Sequence, residues 1–101
     1  MIRIETFKEK EIYKKITFKG HANFDEYGKD IVCAAVSSTM LCTVNAILLI
    51  NEKSIKVTKA KDLFIVELID NADETTIKLL TNMMNCLKSL EREYPKNIKI
   101  K

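Results

Sequence analysis

The sequence predicts an α+β fold, an antiparallel-rich sheet packed with two helices, in the element order ββαββαβ. Three observations carry this. Two blocks, 1–19 and 54–69, are rich in strand formers, and the first alternates apolar with polar residues. Two longer segments, 31–49 and the stretch leading to Tyr94, place apolar side chains at steps near three and four. Short polar breaks separate them, with no linker, repeat or low-complexity tract. At 101 residues the chain has the length of a single domain, spanning 1–101, with one hydrophobic core.

Residues 1–9 and 12–19 read as two strands. Ile2 and Ile4 alternate with Arg3 and Glu5, and Ile12, Ile16 and Phe18 share one parity. The polar step Lys8-Glu9-Lys10-Glu11 suits a hairpin, while Lys14 breaks the alternation of the second strand. After a loop opened by Gly20, Asp30 is a suitable N-cap for a helix over Ile31–Leu49, rich in Ala, Leu and Met. That helix is apolar around much of its circumference, so it is expected to be covered on more than one side. Ser54–Lys59 and Leu63–Ile69 form a second hairpin across Ala60-Lys61-Asp62, and the run LFIVELI has the β-branched density of a central strand. Asn71 with Glu74 resembles a capping box. The helix behind it sets Ile77, Leu80, Met84, Leu87 and Tyr94 on one face, Pro95 ends it, and Asn97–Lys101 adds a short last strand.

Composition narrows the functional classes. A hydrophobic share of 47% and a charged share of 31% argue against disorder, and a net charge of +3 permits an acidic partner without demanding one. The opening MIRIETFKEK lacks the apolar run of a signal peptide. The segment Ile31–Ile50 carries Cys33, Ser37, Ser38, Thr39, Cys42, Thr43 and Asn45, which suits a buried core helix better than a membrane span. Three cysteines at scattered spacings form no disulfide framework, and a reducing cytoplasm is the expected compartment. His21, Cys33, Cys42 and Cys86 show no paired zinc spacing, so neither metal nor cofactor is expected; Cys42, Cys86, Met83 and Met84 are expected in the core. Lysines gather at 8, 10, 14, 15 and 19 and at 96, 99 and 101. They are read as edge-strand charges that block association, and direct nucleic-acid binding is not expected without an aromatic recognition motif.

The densest chemical signal is GHANFDEYGKDIVC, Gly20 to Cys33, which holds the single histidine and both glycines of the chain. With Asp30 as cap, Cys33 falls in the first helical turn, where unpaired N–H groups and the positive end of the helix dipole favour a thiolate. His21 stands at a strand exit, and a histidine within reach of a thiol takes its proton and later returns one to a leaving amine. Amides of the same turn, such as those of Cys33 and Ala34, would then face an oxyanion. Gly20 and Gly28 bracket a segment that must turn sharply, which suits a lid; Phe24 and Tyr27 give it apolar grip. Asp25, Glu26 and Asp30 form a small acidic group suited to basic residues of a substrate. On the residues alone, a nucleophilic Cys33 and a merely core Cys33 both remain open.

Taken as blocks, Gly20-His21-Ala22, Tyr27-Gly28 and Asp30-Ile31-Val32-Cys33-Ala34-Ala35-Val36-Ser37 resemble the signature of the ribosomal-processing cysteine proteases, the Prp family. The resemblance extends over essentially the whole chain and departs at Asn23, where many members carry glycine. It implies an endopeptidase that removes the short N-terminal extension of large-subunit ribosomal protein twenty-seven, cutting after a phenylalanine pair. Cys33 is then the nucleophile and His21 the general base and acid, with Gly20, Asp30 and Ser37 at shared positions beside them. It further implies a homodimer with a loop over the active site. The competing reading, from another class, is a non-catalytic ribosome-associated module that binds RNA or a ribosomal protein through its basic edge.

Overall fold

The computed structural model describes residues 1–20, 30–69 and 72–101. Strands β1 (Ile2–Glu9) and β2 (Ile12–Lys19) are followed by helix α1 (Asp30–Ile50). Strands β3 (Ile55–Ala60) and β4 (Leu63–Leu68), helix α2 (Glu74–Glu93) and strand β5 (Ile98–Ile100) complete the expected order. The five strands form one mixed sheet in the order β3-β4-β2-β1-β5, antiparallel except where β5 runs parallel to β1. β2 is therefore the central strand. β4, despite its dense β-branched run, lies one place from the edge and is mostly half-buried.

The first hairpin turns at Lys10 and Glu11, both in the left-handed region (φ 52° and 67°), the backbone hand that matches strand twist in a two-residue turn. Lys14 proves to be a bulge. Phe7 faces Lys15 but Lys8 faces Tyr13, so Lys14 has no partner and Tyr13 is turned into the buried face. That is why the alternation breaks there.

Both helices lie on one face of the sheet. Ile2, Ile4, Ile16, Phe18, Val66 and Ile98 meet Val32, Val36, Met40, Val44 and Ile47 of α1 and Leu80, Met83, Met84 and Leu87 of α2 in one core. Full burial of each such side chain stabilises by about 1.5–3 kcal/mol. Met83 and Met84 are fully buried, as expected. Cys42 and Cys86 are not: both are exposed, because the inward stripe of each helix passes them by.

Two helix starts differ from expectation. Asp30 is the first residue of α1 and not the cap before it. The cap of α2 is Asp73, whose carboxylate accepts the Thr76 N–H at 2.9 Å; Asn71 lies outside the described residues. Thr76 is buried and donates its hydroxyl to Ser54 Oγ at 3.0 Å, and Ser54 donates to the Asn51 carbonyl at 2.8 Å. This chain of hydroxyls ties the start of α2 to the end of α1.

The largest departure concerns α1. It is long and apolar enough to cross a membrane by length and composition, but its inner stripe is a core face. Its outer side is not covered by the described residues: Leu49 is 88% exposed, and Ile31, Leu41, Leu48 and Ile50 are also exposed.

Candidate active site

Cys33 is the fourth residue of α1, half-buried, and packed against the core where the helix leaves the β2 end of the sheet. It lines a cleft of about 190 Å³ between the start of α1 and the β3–β4 hairpin. Ser37, one helical turn on, shares that wall with Val36 and Met40. Because α1 begins at Asp30, Cys33 sits one place deeper than expected. The amide of Ala34 belongs to the regular helical ladder, and the amides left free at the helix end precede Cys33.

Gly20 builds the opposite lip. Its φ of +80° is a conformation that side chains resist, and a Cβ there would stand 3.0 Å from the Met1 carbonyl. Its N–H donates to the Asp62 carbonyl at 3.0 Å, pinning the exit of β2 to the β3–β4 turn. Asp62 is itself in the left-handed region (φ 59°), so two left-handed positions meet across this bond. The chain therefore leaves β2 toward residue 21 from a fixed point on the rim of the Cys33 cleft.

Of the residues singled out from the sequence, Gly20, Cys33 and Ser37 line this one cleft. Asp30 begins the helix that carries Cys33. His21, Phe24, Tyr27 and Gly28, with the acidic Asp25 and Glu26, lie outside the described residues. No motif marks the far wall, which consists of Lys59, Ala60, Asp62, Leu63 and Phe64. These arrive through strand pairing: Phe18 faces Phe64 and Lys19 faces Leu63. The two phenylalanine rings pack edge to face at 6.3 Å and 76°, giving the cleft floor a rigid aromatic base. An apolar cleft with a thiol on its wall is suited to an extended apolar peptide segment presented to a nucleophile.

The profile of the cysteine protease Prp family matches residues 1–99. This chain belongs to the Prp family. The ribosomal processing cysteine protease Prp of Staphylococcus aureus is 33% identical over 87 residues, covering 84% of this chain and 82% of the relative. That of Bacillus subtilis is 30% identical over 87 residues, covering 80% and 78%. Two solved structures of the essential ribosomal processing protease Prp from Staphylococcus aureus share the fold at a TM-score of 0.88 and 27% identity. They cover 99% and 100% of this chain, and 97% and 98% of their own length is matched. One holds a covalently linked product peptide and the other a substrate peptide. As a Prp-family member the chain is a cysteine peptidase, and the reading as a non-catalytic module falls away.

Proposed function

We propose that this peptidase removes the short N-terminal extension of large-subunit ribosomal protein twenty-seven, cutting after a phenylalanine pair, with Cys33 as nucleophile and His21 as general base and acid. The observation that carries the reading is Cys33 itself: a half-buried thiol in the first turns of α1, on the wall of an apolar cleft. The pinned exit of β2 supports the role of His21, next in sequence to Gly20, since Gly20 itself stands on the rim of that cleft.

In this mechanism His21 takes the Cys33 proton and the thiolate attacks the scissile carbonyl carbon. The tetrahedral intermediate collapses as the imidazolium gives its proton to the leaving amine, leaving a thioester on Cys33. His21 then takes a proton from water, and the resulting attack releases the acid and restores the thiol. The helix end before Cys33 supplies positive potential for the oxyanion.

The enzyme acts in the cytoplasm as a homodimer. The uncovered apolar side of α1, which carries no charged residue from Ile31 to Ile50, supports a second copy as its cover.

The deciding experiment is cleavage of a peptide carrying a Phe-Phe pair followed by a basic tail, read by mass spectrometry with wild type, Cys33→Ala and His21→Ala. One cut after the second Phe, lost in both variants, is the expected result. Retained cleavage in Cys33→Ala would remove the nucleophile, and the authentic precursor left uncut by folded wild type would remove the substrate.

A further inference from the structure

We propose that the open face of the sheet, opposite the helices, is a binding surface for single-stranded RNA, with phosphates over the row Lys99–Arg3–Lys19 and a base stacked on Phe7. This surface is separate from the Cys33 cleft and does not depend on which protein is cleaved.

The strand register makes the row. Arg3 faces Lys19 on one side and Lys99 on the other, and Arg3 and Lys19 point away from the core. Neighbouring strands lie about 5 Å apart, so three cations from three separate chain segments stand in line at close steps. Lys101 joins them in lining a concavity of about 450 Å³. Further along the same face, Lys15 and Lys56 flank Glu67 through the β2–β4 and β3–β4 pairings. Glu5, Glu9 and Glu67 are the acidic residues on the same face as these six basic ones. Glu5 is already engaged by Lys19 at 2.8 Å, which holds its carboxyl below the usual range. Six basic against three acidic residues leave the face net positive.

Charge alone would suit any polyanion. Phe7 favours nucleic acid. It shares the parity of Arg3 and Glu5 on β1, lies beside Lys15, and is 56% exposed. A solvent-facing aromatic ring within a basic sheet surface is the pairing of stacking platform and phosphate track that single strands use. An acidic peptide has no use for the ring. No base-reading side chain is needed, so the binding is expected to be sequence-tolerant and salt-sensitive.

The test is fluorescence anisotropy of a labelled oligouridylate with the full chain across a salt series. Wild type should bind at low salt. Arg3→Gln/Lys99→Gln should weaken binding about tenfold or more there and shallow the log–log salt slope by about 1.4, at roughly 0.7 per lost contact. Phe7→Ser should weaken it roughly fivefold or more with the slope unchanged. Lys78→Gln, on the exposed side of α2, should change it little. All variants should keep the wild-type far-ultraviolet dichroism and cleave a short peptide at the wild-type rate. Absence of binding at low salt, equal losses in Lys78→Gln and the double variant, or no effect of Phe7→Ser would overturn the assignment. So would displacement of the RNA by polyglutamate as readily as by unlabelled oligouridylate.

Discussion

Single residues decide how the proposed Cys33–His21 pair is reached. Gly20 combines a left-handed φ of +80°, a carbonyl 3.0 Å from where a Cβ would lie, and an N–H bonded to the β3–β4 turn. Gly20→Ala should therefore destabilise by about 1–2 kcal/mol from backbone conformation alone. It should also shift the chain leading to His21, so kcat should fall by more than the stability loss explains. Thermal melting followed by peptide kinetics well below the variant's Tm separates the two, and unchanged kcat would show that the rim does not position the base. Cys33 and Gly20 stand out in the sequence as chemistry-bearing types in one short segment, and the blocks around them match a family signature, whereas spacing alone leaves a merely core Cys33 open. Lys59 and Phe64 were not, since nothing in a β-hairpin's own sequence says which cleft it will wall.

At the level of elements, local signals were read well and their limits less so. The break at Lys14 was visible as a lapse in alternation, and pairing turned it into a bulge that buries Tyr13. α2 starts after Asp73 because its carboxylate caps the Thr76 amide; the Thr76 side chain first, and that amide second, hold its carboxyl below the ordinary 3.8. A carboxyl whose folded-state pKa is depressed stabilises the fold above its unfolded value, and loses that contribution as pH falls through the folded value. Asp73→Ala should thus melt earlier than wild type at neutral pH, with the gap closing as the pH drops below 3.8. A gap that persists in strong acid would assign the effect to something other than the charged cap.

For the whole molecule, α1 is the element whose sequence says least about its surroundings. Its inner stripe meets the core, and its outer apolar side stays exposed among the described residues. If a second copy covers it, wild type sediments as a dimer, and Leu41→Asn/Leu49→Asn should shift sedimentation velocity to the monomer without loss of helical dichroism. Leu49 is 88% exposed and Leu41 41%, so the packing lost within one chain falls mainly at Leu41, and the Leu49→Asn single change gives the same test with less of it. A monomeric wild type at micromolar concentration would end the dimer reading. The proposed RNA face lies across the sheet from α1, so the two surfaces do not compete.

The sequence by itself determined the element order, the inward stripe of α2 and the residues that mark the peptidase family. Periodicity, turn chemistry and motif spacing are local properties that a chain displays before it folds. Only the tertiary structure decided which strands neighbour which, and with that the far wall of the Cys33 cleft, the exposure of Cys42 and Cys86, and the basic row Lys99–Arg3–Lys19. Of the lysines read from sequence as edge charges, Lys15 and Lys19 stand where β2 is flanked on both sides, and Lys99 lies on the edge strand β5. Strand pairing joins residues far apart in the chain, and no local pattern encodes the partner.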